Sequence, residues 1–253
     1  RIREGEVAKK PRTAVAGFDL TFSPPKSVSA IWGIADAGTQ ALIADAHHAA
    51  IAEVIEFMER EVIMDAEEYL GRKFPDNQAN AYLLLKFDGN TMEEIASYYD
   101  GVAQICLDQG AVDLLIADTD ERSDSIWKAR GAFLEAIKSS TSAMDEVDVV
   151  VPRSHVNEFV EYIHGLQKEL GMRIKCFGHA GDGNLHVYLL KDDLSDADWH
   201  RILETGMEKM YTMAKSMDGQ VSGEHGIGYK KKALFHEYTD PVELQLMQAV
   251  KKA

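Results

Sequence analysis

Cysteine is scarce: the chain has two, Cys106 and Cys176, far apart and without paired spacing. That excludes a disulfide framework and suits core thiols in a reducing compartment. Long apolar runs are lacking too. No stretch approaches the roughly 18 residues of a membrane span, and the opening "RIREGEVAKKPR" lacks the apolar stretch of a secretory signal. The expectation is a cytoplasmic protein without a membrane span. Positive charge is in deficit, and the formal net charge of -15 is lopsided. Residues 1–50 hold 6 Lys/Arg against 5 Asp/Glu, and the remainder 21 against 37. So acidic a body repels phosphate backbones, which argues against a nucleic-acid partner. No glycine-rich run offers the backbone amides that hold a dinucleotide's pyrophosphate. The first residue is not Met, and the last, "QAVKKA", stand within a helical pattern; the expectation is a fragment.

What is present suffices for a folded core, with 45% hydrophobic residues in 253. "EFMEREVIMDAEEYLG" has helical spacing at Phe57, Met58, Val62, Ile63, Ala66 and Leu70 and should end at Gly71. "AYLLLKFDG" reads as a buried strand, and Thr91 with Glu94 forms a capping box for a helix running to about Gln109. "DLLIA" (113–117) reads as a strand, "SDSIWKARGAFLEAIK" as a helix and "VDVVV" as a strand stopped by Pro152. "HVNEFVEYIHGLQKELG" should be a helix closed by Gly171. "MRIKCFG" and "NLHVYLL" are two further strands, joined by a glycine-rich connection. A helix over about 197–217 has Trp199, Ile202, Leu203, Met207, Met210 and Met213 on its apolar side. The fold class predicted is α+β: ferredoxin-like strand–helix–strand units forming a mostly antiparallel sheet covered by helices. Residues 1 to about 52 differ, offering a strand, a Pro-Pro break and an Ala-rich helix.

Two glycine-rich stretches concentrate the chemistry. In "FGHAGDGNLH" (177–186), Gly178, Gly181 and Gly183 let the connection fold back so that His179 and His186 can converge. Imidazoles suit zinc and other borderline divalent ions, and two histidines ask for a third ligand. "SGEHGIG" supplies Glu224, with His225 beside it for proton transfer. Glycine-rich loops with His and Asp are also plain tight turns, and spacing alone leaves both readings open. Asp182, within "GDG", reads as a turn residue. Arg130 by itself is an ordinary solvated helix charge.

From Glu56 onward, "EFMEREVI", "IWKAR", "VDVVVP", "FGHAGDGNLHVYLL" and "GQVSGEHGIG" follow in an order and spacing that resemble a known family. It is the C-terminal substrate domain of the FAD-linked oxidases, which include D-lactate dehydrogenase, the glycolate oxidase D subunit and D-2-hydroxyglutarate dehydrogenase. The resemblance implies that His179, His186 and Glu224 hold a divalent metal of the zinc or manganese type. It implies that His225 acts as base, that Asn184 lies at substrate and flavin, and that Arg130 clamps the substrate carboxylate. The substrate implied is a small 2-hydroxy acid. FAD would be held mainly by a domain missing from this chain, leaving residues 56–253 inactive alone. An electron-transfer flavoprotein or iron–sulfur subunit is the implied redox partner.

Residues 1–55 are similar to something else. "GFDLTFSPPKSVSAIWGIADAG" followed by "AHHAAI" resembles a strand–helix fragment of the TrwC-type conjugative relaxases, in which Asp19 would support metal-binding histidines. That family's N-terminal tyrosine nucleophiles and three-histidine motif are missing. The splice between the two resemblances falls near "AEVIEFMERE", read as a helix common to both. The competing function classes are a remnant of a single-stranded DNA relaxase and a non-catalytic metal-binding domain.

Overall fold

The computed structural model describes residues 53–74, 77–87, 91–117, 119–229 and 231–252. The strand and helix expected before residue 52, with Asp19, lie outside these, as does the Glu94 side chain.

Chain order begins with β1 (Glu53–Glu59), α1 (Arg60–Leu70), β2 (Ala81–Phe87), α2 (Met92–Asp108) and α3 (Asp120–Ser139). It continues through β3 (Met144–Val150), α4 (Val156–Leu170), β4 (Ile174–His179) and β5 (Asn184–Leu190), ending with α5 (Asp196–Ser216), α6 (Lys232–Tyr238) and α7 (Pro241–Lys252). The strands form one sheet in the order β2-β1-β4-β5-β3, every neighbouring pair antiparallel. The predicted α+β class, an antiparallel sheet covered by helices, is what the chain adopts.

Alternation along the strands sorts side chains onto two faces. Phe57, Cys176, Leu185, Val187, Val147 and Val149 pack with Phe159, Ile163 and Leu166 of α4 and with Leu203, Met207 and Met210 of α5. The opposite face sends Met58, Phe177, Tyr188 and Leu190 against Val62, Ile63 and Ala66 of α1 and Phe133, Ala136 and Ile137 of α3. The sheet is thus sandwiched between two helix pairs. On the α1/α3 side that apolar packing covers one part of the face; another part carries polar side chains.

Helix ends follow local chemistry. Gly71 and Gly171 adopt φ of 61° and 63°, the left-handed conformation that closes α1 and α4. Thr119 and Ser195 cap α3 and α5 by accepting from Arg122 N and Asp198 N.

Two sequence readings are corrected. Phe57 and Met58 belong to β1, and α1 starts only at Arg60. A strand buried on both faces is apolar at consecutive positions, a pattern that also fits the start of a helix. Residues 53–61 of the junction "AEVIEFMERE" are therefore a strand running into a helix, not the common helix expected. "DLLIA" forms no strand: residues 113–117 are irregular, with Leu115 and Ile116 over 60% exposed. The run pairs with no strand among the described residues, although β2 and β3 each end the sheet with an open side.

Candidate functional site

The first glycine-rich stretch is a tight β4–β5 hairpin whose register pairs His179 with Asn184 and Phe177 with His186. Residues two apart on a strand share a face, so His179, Asn184 and His186 come together although the histidines are seven positions apart. Their rings lie 5.4 Å apart, edge to face. Gly183 takes φ of 81°, and a Cβ there would sit 1.9 Å from the Val151 carbonyl oxygen. A Cβ on Gly178 would meet the Asn184 carbonyl oxygen at 2.3 Å. Asp182 accepts from Asn184 N at 2.9 Å, the turn role expected of "GDG".

The second stretch is folded around one buried carboxylate. Asp148 Oδ2 accepts from Ser222 Oγ at 3.1 Å, Gly223 N at 3.0 Å and His225 N at 2.9 Å. Gln220 bridges to Val150, tying the segment to β3. Gly223 packs on Asn184 so closely that a Cβ would lie 2.4 Å from the amide. Glu224 and His225 are thereby carried over the polar part of the sheet face. Glu224 Oε1 lies 3.2 Å from His179 Nε2 and 3.1 Å from His186 Nε2. Ligand atoms of His179, His186 and Glu224 all fall within 4.8 Å of one another. Two imidazole nitrogens and a carboxylate oxygen at that spacing are a donor set that fits one divalent cation.

Three carboxylates escaped the sequence reading. Glu56, 2% exposed on β1, contacts His179 Nδ1 at 2.9 Å through Oε1. Glu146 Oε1 on β3 lies 3.2 Å from both His186 Nδ1 and His225 Nδ1, and accepts from Tyr188 Oη at 2.9 Å. Asp148 organises the second loop. Glu146 and Asp148 sit two apart on one face of a strand whose alternate face is valine, the one signal that could have flagged them. Glu56 gave no local signal, because only the β1–β4 register places it opposite His179.

The electrostatics are coupled. Burial pushes the His179 imidazole down, yet the hydrogen bonds and charges of Glu224 and Glu56 outweigh it and hold it up at about 10. Burial likewise opposes charging of His186, and Glu146 and Glu224 reverse the shift, leaving it raised. Contacts with His179, then His186, hold the Glu224 carboxyl far below its ordinary value.

Arg130, on α3, borders the cluster. It donates to Glu56 Oε2 through Nε at 3.1 Å and Nη2 at 2.9 Å, and its guanidinium carbon stands 4.7 Å from the centre of the Phe177 ring. Asn184 is buried, with Oδ1 unpartnered. His225 stacks on His186 at 4.9 Å. All six residues singled out from sequence thus converge on one end of one sheet face, with Arg130 joined through Glu56.

Comparison with known proteins identifies the family. The family model "FAD linked oxidases, C-terminal domain" matches residues 23–253. The chain is 41% identical over 211 residues to a D-lactate dehydrogenase of Anaerostipes hadrus, covering 81% of this chain and 44% of that protein. It is 31% identical over 174 residues to a D-2-hydroxyglutarate dehydrogenase of Stutzerimonas stutzeri, covering 67% and 37%. It is 27% identical over 228 residues to glycolate oxidase subunit GlcD of Bacillus subtilis, covering 90% and 48%. The chain spans less than half the length of each. None of these three is a relaxase, and the family match takes in residues 23–55.

Proposed function

Because the chain belongs to the FAD-linked oxidase C-terminal domain family, we propose that it is the substrate- and metal-binding half of an FAD-dependent dehydrogenase for small 2-hydroxy acids of the D-lactate or glycolate type. The observation that carries this reading is the convergence of His179 Nε2 and His186 Nε2 on one oxygen of Glu224. Such a constellation holds a divalent cation, of zinc or manganese type, through His179, His186 and Glu224.

Oxidation of a 2-hydroxy acid removes a hydroxyl proton and a hydride from the same carbon unit. A cation held by His179, His186 and Glu224 would supply acidification of the substrate hydroxyl, and FAD would supply the hydride acceptor. The chain's own residues do the rest. His225, adjacent to the ligand Glu224 and stacked on His186, accepts the hydroxyl proton. Arg130, held by Glu56, offers its planar guanidinium to the substrate carboxylate; lysine cannot reproduce that geometry. Asn184 Oδ1, buried and unpartnered, supplies a polar contact toward substrate and flavin. The chain is inactive without a flavin-binding half and works in the cytoplasm; electrons taken up by that half's flavin pass to an electron-transfer flavoprotein or an iron–sulfur subunit.

The test is reconstitution. Mixed with a separately expressed flavin domain of a relative, the zinc- or manganese-loaded chain should oxidise D-lactate or glycolate with reduction of an artificial electron acceptor, and neither part alone should. Metal uptake with no turnover in any mixture would favour a non-catalytic metal-binding domain. The relaxase-like reading competes only ahead of residue 23, where the family match starts, and the acidic balance of the chain after residue 50, 21 Lys/Arg against 37 Asp/Glu, weighs against it. Binding of a single-stranded oligonucleotide that is lost on deleting residues 1–22 would revive it.

A further inference from the structure

Each of the two histidines that face Glu224 is backed by a carboxylate on its other ring nitrogen. His179 has Nδ1 2.9 Å from Glu56 Oε1 and Nε2 3.2 Å from Glu224 Oε1. His186 repeats the arrangement in distance only: Nδ1 lies 3.2 Å from Glu146 Oε1 and 4.0 Å from Asp148 Oδ1 without an aligned hydrogen bond to either, and Nε2 lies 3.1 Å from Glu224 Oε1. With a cation on Nε2 the imidazole's one proton stands on Nδ1, beside a carboxylate that, ionised, can only accept it. We infer that Glu56 and Glu146 are positioning residues that hold that proton on Nδ1 of His179 and His186, and so present both Nε2 lone pairs to the cation. The inference rests on the metal-binding reading above.

The two carboxylates are themselves fixed. Glu56 is clamped on Oε2 by Arg130 Nε and Nη2, and it stands directly opposite His179 in the β1–β4 register. Glu146 accepts the Tyr188 hydroxyl and stands opposite Tyr188, with Asp148 opposite His186, in the β3–β5 register. The backing groups therefore come from paired strands rather than from the glycine-rich loops, which favours a rigid ring orientation. Carboxylate backing of this kind orients a histidine ligand and raises its basicity. Atoms of Glu146, His186 and His225 also lie within 4.8 Å of one another. A second ion there would need His186 to bridge two metals as a fully deprotonated ring, a demand the positioning role does not make.

The experiment compares the wild-type chain with Glu146→Gln, which keeps an acceptor oxygen, and Glu146→Leu, which removes it. Zinc affinity is measured by competition with a chromophoric chelator, and ring nitrogen-15 shifts are read in the zinc-loaded chains. The wild type should bind one zinc ion, with protonated Nδ1 and metal-bound Nε2 on both His179 and His186. Affinity should fall about 10-fold in Glu146→Gln and nearer 100-fold in Glu146→Leu. The loss of the Nδ1-protonated pattern should be confined to His186, since His179 leans on Glu56. Should Glu146→Leu not fold, the Gln variant and the wild-type spectrum still decide. Zinc on Nδ1 of either histidine, unchanged affinity in both variants, or two ions per chain would overturn this inference alone. A wild-type chain that takes up no zinc would overturn the metal reading with it.

Discussion

His179 Nε2 and Glu224 Oε1 lie 3.2 Å apart, a contact between a strand end and a loop far along the chain. His186 reaches the same oxygen. Each of the three side chains then supplies one of the few ligands available, so His179→Ala, His186→Ala or Glu224→Ala should each weaken zinc binding by more than the roughly 100-fold expected at a backing carboxylate. His225→Ala should retain the metal and, with the flavin half supplied, lose turnover. Chelator competition decides, and an equal loss of zinc in His225→Ala would show that the roles are wrongly divided.

The hairpin glycines should not be equivalent. Gly183 combines φ of 81° with a backbone oxygen 1.9 Å from any added Cβ, whereas a Cβ on Gly181 meets only ordinary contacts from 3.6 Å outward. Gly183→Ala is expected to cost at least about 2 kcal/mol of stability. Gly181→Ala should stay below about 1 kcal/mol. Urea unfolding of the two variants side by side checks this, and equal midpoints would mean the turn relaxes freely.

These contrasts explain what the sequence did and did not reveal. Gly71, Gly171 and the "GDG" turn were legible because each answers a local backbone demand. The convergence of His179 with His186 was legible because one short hairpin carries both. Glu56 was not, because its place at the site follows from the β1–β4 pairing, a long-range choice with no mark in the local pattern; Glu146 and Asp148 alternate with valines, a mark of a polar strand face that does not say which strand lies beside it. Phe57 and Met58 misled for the related reason that burial on both faces of β1 erases the alternation that identifies a strand. "DLLIA" misled because an apolar run is not a strand by itself: it becomes one only by docking on a sheet edge, which this run does not do.

Glu56 and Arg130 form a largely buried pair, 3% and 17% exposed in their side chains. Removing either partner strands a charge, which is costlier than losing both. Arg130→Ala and Glu56→Gln should therefore couple by about 1–3 kcal/mol in a double-mutant cycle on the metal-free chain. Additive effects in that cycle, read from denaturant unfolding, would mean the pair is not energetically linked. Arg130→Lys should recover only part of the stability, because Lys lacks the planar guanidinium that supplies both Nε and Nη2.

Glu59 gives the opposite sign of pH dependence from an ordinary salt-bridged acid. On β1, 5% exposed, it contacts His164 and accepts from Cys176 N at 2.9 Å. Burial is the dominant influence and outweighs both partners, so its carboxyl is raised above the ordinary 4.5. A raised acid favours the folded state in its protonated form. Its contribution is complete below 4.5 and is lost as pH rises through the higher folded-state value. Gln at this position keeps an acceptor for Cys176 N and a donor for His164 without the charge. The stability of Glu59→Gln relative to wild type should therefore improve between pH 4 and pH 7, with the variant at least as stable as the parent at the upper end. Thermal unfolding of both chains across that range measures the difference. A difference that stays flat, or that moves against Gln as pH rises, would show that the partners rather than burial set the Glu59 equilibrium.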